Sequence, residues 1–212
     1  MIQEYKNFTL IDHPLVKRDV TLLRDIRTDC ETFGAAISRI SNIIAVKLIK
    51  NIKLTEIEVD TPLERTKGFK LAQDVVIVSV LRAGLGMVNG FLQVLPDAKV
   101  GHIGLERDEE TLKPVHYYYK TPENLKEHAV ILPDPMLATG GSASAAMSFL
   151  KKRDAADLFF ACIFAVPAGI NKIKEDHPDV KIFAAALDRE LNDKGYILPG
   201  LGDAGDRTFG TL

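Results

Sequence analysis

Tryptophan is absent from this chain of 212 residues, and cysteine occurs only twice. Cys30 and Cys162 each sit in an apolar stretch, far from one another, so no disulfide framework is available and the fold must rest on its own core. Both read as buried free thiols, which fits a reducing cytoplasm. The five histidines (His13, His102, His116, His128, His177) show no metal-ligand spacing with one another or with a cysteine, so no protein-built metal site is expected. A basic excess is missing too: 27 Lys and Arg stand against 29 Asp and Glu, a formal charge of −2. Dedicated nucleic-acid binders usually carry the opposite balance, whereas a local positive pocket for a phosphorylated small molecule is compatible with it. The longest apolar run, 158–167, is too short to cross a bilayer as a helix, and the opening MIQEYKNF has no apolar signal core. These absences predict a cytoplasmic protein with neither membrane nor nucleic acid as partner.

What is present is ordinary for a globular protein, with 46% hydrophobic and 26% charged residues. The length suits one domain, 1–212, able to bury a sizeable core without staples. Residues 14–52 carry apolar residues at helical spacing (Val16, Val20, Leu23, Ile26; then Ile37, Ile40, Ile44, Leu48), which predicts a helical extension over 1–52 packed on the core or on a second subunit. LTEIEV at 54–59 alternates as a strand does. From residue 74 the pattern becomes β-branched strand, glycine-rich turn, helix. Strands are expected at 74–80, 100–105, 129–132, 158–166 and 180–187, with helices after 84, after 141 and from Pro167. Residues 106–122 are polar around a β-prone centre and read as an exposed hairpin or flap. The tail, 188–212, shows no period and reads as ordered loop. Repeated strand–turn–helix units predict an α/β fold with a parallel sheet covered by helices.

In such sheets ligands gather at the carboxyl ends of the strands. Four segments stand out. The first is Asp134-Pro135-Met136-Leu137-Ala138-Thr139-Gly140-Gly141-Ser142. It places an acid at a strand end, then small residues with accessible main-chain N–H groups, then a helix start. Glycines admit an oxyanion close to the backbone, hydroxyls add donors, and the helix N-terminus adds partial positive charge. This predicts a monophosphate cradle, with Asp134 placed for vicinal sugar hydroxyls. A plain N-capped helix would explain Thr139 or Ser142, but not the acid and glycine pair with them. No lysine of a P-loop follows.

The second segment, Leu81-Arg82-Ala83-Gly84-Leu85-Gly86-Met87, sets an arginine beside a glycine turn, which suits a diphosphate. A tight turn with Arg82 solvated is the bland alternative. Gly84, Gly86 and Gly90 with Glu106 beyond also imitate a dinucleotide loop, weakly. The third is the glycine-rich tail, 195–207, whose exposed main-chain groups could read a flat heterocycle; an Asp206–Arg207 surface pair in a coil is the alternative. The fourth, Arg107 to Pro114, is a charge run, usually a solvated loop, though it follows a strand end and could close over a site.

Together these segments resemble the uracil phosphoribosyltransferases. R-A-G-L-G-M at 82–87, R-D-E-E-T-L-K-P at 107–114, D-P-M-L-A-T-G-G-S at 134–142 and G-Y-I-L-P-G-L-G-D-A-G-D-R at 195–207 occur in the family order. HPLV at 13–16 and TLLRD at 21–25 are similar as well. The resemblance implies a type I phosphoribosyltransferase core with a hairpin hood, transferring the phosphoribosyl group of 5-phosphoribosyl diphosphate to uracil. Under it, Arg82 and Arg107 contact the donor. The stretch Asp134, Pro135, Met136, Leu137, Ala138, Thr139, Gly140, Gly141 and Ser142 holds its ribose and 5-phosphate. Ile197, Gly202 and Ala204 bind uracil through the backbone, and Asp203 touches the donor and the base site. Asp134, Arg82 and Asp203 are the expected catalytic set. Magnesium carried mainly on donor oxygens and water, a homodimer or larger homo-oligomer, and GTP as a candidate effector are also implied.

Three departures from the family pattern carry their own expectations. Glu106 replaces a common tyrosine, and Pro133 precedes Asp134, which predicts a strand that stops early. Ile43 to Lys47 replaces a more polar stretch, which bears on subunit packing or regulation. Three rivals stay open: a regulatory RNA-binding protein on the same core, a nicotinamide-dependent dehydrogenase using the Gly84 turn, and a transferase for another base.

Overall fold

The computed structural model describes residues 6–107 and 114–211. The chain opens with a short strand, β1 (Phe8–Leu10), followed by helices α1 (Pro14–Arg24) and α2 (Cys30–Leu48). An antiparallel hairpin, β2 (Leu54–Asp60) and β3 (Arg65–Leu71), precedes the first buried unit, β4 (Asp74–Leu81) and α3 (Leu85–Val94). Then come β5 (Lys99–Arg107), β6 (Pro114–Lys120), β7 (His128–Pro133), the two-residue β8 (Met136–Leu137) and α4 (Gly141–Lys151). The sequence continues through β9 (Asp157–Ala165), α5 (Pro167–Asp176), β10 (Lys181–Leu187), the small strands β11 (Glu190–Leu191) and β12 (Ile197–Leu198), and α6 (Ala204–Phe209).

Eight strands form one sheet, ordered β1-β10-β9-β7-β4-β5-β6, with β8 attached to β9. Every pairing in it is parallel except β5 with β6. The central strands β4, β7 and β9 are buried along almost their whole length, as continuous β-branched and aromatic runs require of strands covered on both faces. One core, built on α2 and α3, fills one face; the other, built on α4 and α5, fills the opposite face. This is the expected mixed α/β architecture.

The helical extension divides into two. Asp29 caps α2 by accepting the Thr32 N–H at 2.7 Å, and Pro14 opens α1. Ile26, expected on the buried face, lies in the break between the helices and is exposed. The helical stretch Cys30–Asn51 is long and apolar enough by composition to cross a bilayer. Here its stripe of Phe33, Ala36, Ile37, Ile40, Ile44 and Leu48 is sunk in the core against α3. Ile44 and Ala45 of the divergent 43–47 stretch belong to that core, while Val46 and Lys47 face outward.

Several expectations need correction. β1 at the sheet edge and β3 had no clear signal of their own. β7 runs through Pro133 instead of stopping before it, pairing Pro133 with Ala161. Its pairing with β4 ends at Ile131, so the missing proline N–H costs no ladder bond on that side. The tail is not plain loop: it carries β11–β12 and α6. Cys162 is buried, but Cys30 is exposed, with its thiol donating to the Thr208 carbonyl at 3.0 Å. The 106–122 hairpin is present at its root, and its tip, 108–113, lies outside the described residues.

Candidate active site

The loops after β4 and β7 and the chain just before α6 meet at the carboxyl edge of the sheet. They enclose two adjoining hollows. One, of about 250 Å³, is lined by Arg82, Ala83, Leu105, Asp134, Ser142, Asp203 and Gly205, among others. The other, of about 230 Å³, is lined by Met136, Ala138, Tyr196, Ile197, Gly202 and Ala204. Ala83, Asp134, Asp203 and Gly205 border both, so the two are one site in two lobes. Larger hollows of about 380, 370 and 400 Å³ lie elsewhere. Size alone would favour them, but convergent carboxylates, an arginine and a helix start occur in the paired lobes, and those decide the assignment.

Asp134 follows the last residue of β7 and is half-buried. Its Oδ1 accepts the Met136 N–H at 3.2 Å, which favours the anion, but burial outweighs this and raises its pKa to about 6. The Cys162 thiol behind it is pushed well up by burial and then by the Asp134 charge. From Pro135 the chain is stitched to β9: the Pro135 carbonyl accepts N–H groups of Ile163 and Phe164 at 3.0 and 2.9 Å. Leu137 is core, so Pro135 and Leu137 hold the loop from beneath, while Met136 and Ala138 reach the second lobe. Gly140 turns the chain into α4 with φ of +80°, and a Cβ there would stand 2.9 Å from the Lys172 side chain. The first intrahelical bond of α4, Ser144 N–H to the Gly140 carbonyl, is 2.9 Å. The N–H groups of Gly141, Ser142 and Ala143 therefore precede it, at the positive end of the helix. Thr139 and Ser142 are exposed beside them. Asp134 to Ser142 thus run from the end of β7 into the start of α4, as the strand–turn–helix reading expects.

Arg82 lies in the turn after β4 and is more than half exposed. Its Nη2 donates to Asp206 Oδ1 at 2.9 Å and its Nη1 to the Thr211 hydroxyl at 3.3 Å. The Asp206–Arg207 surface pair does not form: Asp206 serves Arg82, and Arg207 turns inward. The dinucleotide-like glycines have packing explanations. A Cβ on Gly84 would be 2.5 Å from the Pro133 carbonyl oxygen, and one on Gly90 2.3 Å from that of Ser38 in α2. Arg107 ends β5, paired with Pro114, and its side chain lies outside the described residues. Asp203 caps α6 by accepting the Asp206 N–H at 2.9 Å while bordering both lobes. Ile197 and Ala204 are buried, and Gly202 has φ of +86°. Arg24, which lies in the TLLRD stretch, and Asp188 meet across the base of this tail, and no local pattern marks the two as partners.

A mostly parallel sheet with a strand-end acid leading into an amide-lined helix start defines the type I phosphoribosyltransferase class. A solved hypoxanthine-guanine phosphoribosyltransferase from Bacillus anthracis shares the fold at 11% identity, with a TM-score of 0.51 over 75% of this chain and 80% of that one. A solved protein from Aquifex aeolicus superposes with a TM-score of 0.89 at 38% identity, covering 95% of this chain and 97% of its own. The family model for uracil phosphoribosyltransferase matches residues 10–211. Curated relatives of that name include one from Salinibacter ruber, 50% identical over 97% of this chain and 98% of its own length. Another, from Dictyoglomus thermophilum, is 54% identical over 95% and 98%. The chain belongs to the uracil phosphoribosyltransferase family.

Proposed function

We propose that the chain transfers the phosphoribosyl group of 5-phosphoribosyl diphosphate to uracil, giving UMP and diphosphate, a step of pyrimidine salvage. The observation that carries this reading is the pair of lobes sharing Asp134 and Asp203, one opening on the α4 helix start and the other on the glycine-rich tail. The 5-phosphate would sit against the N–H groups opening α4, with the Thr139 and Ser142 hydroxyls adding donors. Asp134 would accept the ribose hydroxyls. Arg82 would turn from Asp206 to the diphosphate: an ion pair this exposed is worth little, so a multiply charged ligand can replace it. Arg107 would contact the same group. Main-chain atoms of Ile197, Gly202 and Ala204 would hold uracil in the second lobe, and Asp203 would orient donor and base together.

The bond from ribose C1 to the diphosphate oxygen breaks with its electron pair leaving on diphosphate. Uracil N1 forms the new bond from the opposite face and loses its proton to solvent. Alignment and stabilisation of the departing charge supply the rate, and no side chain acts as nucleophile. The carboxylates of Asp134 and Asp203 are the hard oxygen donors that magnesium prefers, so the site fits that ion, held mainly through donor oxygens and water. When bound, magnesium would neutralise charge on the diphosphate.

The whole chain would act as one catalytic unit in the cytoplasm, where two unpaired thiols are stable. A homodimer or larger assembly is supported by Leu54, Leu63 and Phe69, apolar residues left exposed on the β2–β3 hairpin; light scattering would reveal the mass. The deciding assay incubates the pure protein with magnesium and the donor and, separately, uracil, orotate, hypoxanthine and adenine, with and without GTP. UMP from uracil is expected; a nucleotide formed only from another base would overturn the reading.

A further inference from the structure

The tail that lines the second lobe is tied to α1 by one buried ion pair. Asp188 lies just past β10, its side chain only 3% exposed. Arg24, the last residue of α1, meets it with two groups, Nη1 to Oδ2 at 3.0 Å and Nη2 to Oδ1 at 2.5 Å. The same Nη1 donates to the Gly200 carbonyl at 3.0 Å, and Asp188 Oδ2 accepts the Gly200 N–H at 2.9 Å. Both main-chain polar groups of Gly200 are thereby bound by one pair. The Arg24 guanidinium also lies over the Phe164 ring of β9, 4.5 Å from its centre. Gly200 has φ of +59°, and a Cβ there would stand 2.1 Å from the Ile197 carbonyl oxygen, so the turn is closed tightly around it.

A second arginine holds the next residue. Arg207 of α6 donates through Nη1 to the carbonyls of Leu201 and Leu23, at 2.9 and 2.5 Å, and through Nη2 to the Asp25 carbonyl at 2.7 Å. Its guanidinium rests over Phe33 of α2 at 4.4 Å. Residues 200 and 201 are therefore gripped from two sides, and both grips end on the last turn of α1. The residues flanking them, Ile197 before and Gly202 and Ala204 after, line the lobe read above as the base site.

A buried carboxylate is costly unless charge and hydrogen bonds compensate it, and even a well-made buried pair seldom stabilises more than apolar residues of the same shape would. What the pair supplies is orientation: a forked donor and a two-oxygen acceptor admit few geometries. Main-chain recognition of a flat base depends on that, because its donors and acceptors cannot adjust by rotating a side chain.

We propose that Arg24 and Asp188 are positioning residues for base recognition, which touch neither substrate but set the main-chain groups of 197–204 that read the pyrimidine. The proposal rests on the reading of the second lobe as the uracil site. Three variants test it: Arg24→Lys, which keeps the charge but loses the fork; Asp188→Asn, which keeps the shape; and Arg24→Met combined with Asp188→Asn, which removes both charges. UMP synthesis is followed with uracil varied at saturating donor, and donor binding is measured separately by calorimetry with magnesium. The double variant is expected to raise KM for uracil by about tenfold or more, as loss of precise polar positioning does, and Arg24→Lys by less, with donor affinity and kcat within about twofold of wild type.

Folded variants with an unmoved uracil KM would overturn the proposal. So would a donor affinity that weakens in step with KM, the mark of general loosening. If the double variant does not fold by circular dichroism, the two single variants decide on the same criteria. A wild-type protein that makes no UMP from uracil would sink the functional reading, and this proposal with it; an active wild type with unmoved variants would sink the proposal alone.

Discussion

Asp134 is held in an environment that opposes its own charge. Its pKa of about 6, against 3.8 ordinarily, means that folding binds a proton more tightly than the unfolded chain does. For a group raised in this way, the carboxyl's favourable contribution is present below about pH 4 and is lost as pH climbs through about 6. At neutral pH the carboxylate therefore destabilises the fold, and in the proposed reaction it is the acceptor for the ribose hydroxyls. Asp134→Asn should melt several degrees higher than wild type at pH 7, with the gap closing towards pH 4, and turnover should fall by about a hundredfold. Calorimetric scans across that range and a steady-state assay check both halves. In the wild type, kcat/KM for the donor should decline as pH drops below about 6, as the free enzyme protonates Asp134. Arg82 makes the opposite kind of contact, open and exchangeable. Because a forked guanidinium and an ammonium are not equivalent on a diphosphate, Arg82→Lys should raise donor KM by about tenfold; an unchanged donor KM would remove Arg82 from the donor contact.

The loop before α4, the proposed phosphate site, is held at several points. Pro135 is tied to β9, Leu137 is buried, and Gly140 occupies left-handed backbone with no room for a methyl group. Gly140→Ala should strain the turn by roughly 1–3 kcal/mol and move the first N–H groups of α4. Donor KM should then rise by about tenfold while uracil KM at saturating donor changes little, which initial-rate kinetics would separate. The β5–β6 hairpin packs on the same helix: Phe149 of α4 meets the His116 ring at 4.3 Å, tilted by 50°, and Tyr119 edge-on at 4.8 Å, while Arg153, just past the helix, lies 3.6 Å over Phe149. Strand–turn–helix order and the start of α5 at Pro167 were readable along the chain, since each depends on residues within one or two turns; the caps Asp29 and Asp203 were not read from it. β3 was not: its RTKGFKL is polar and carries a glycine, and it is a strand through pairing with β2, exposed on nearly every residue.

At the scale of the molecule, the two cores hold the sheet between helix layers, and α2 is the centrepiece of one of them. Truncating a side chain buried completely in that layer, Ile40→Ala, should cost about 2–5 kcal/mol in chemical denaturation, because the surrounding helices and strands cannot close the void. The surviving folded enzyme should keep its KM values, since α2 lines neither lobe. Apolar spacing on α2, the β-branched run of β4, the apolar runs of β7 and β9, and the acid-to-glycine signal at 134–142 are local patterns, so the amino-acid order alone specified the fold class and the strand-to-helix turn at 134–142. The partners of Arg24, Arg82 and Arg207 were beyond its reach. Arg24 and Asp188 stand 164 residues apart, and Arg82 and Asp206 stand 124 apart. No helical or strand period links such pairs: a charged side chain far from its partner in sequence reads as solvated surface until the folded chain closes the distance.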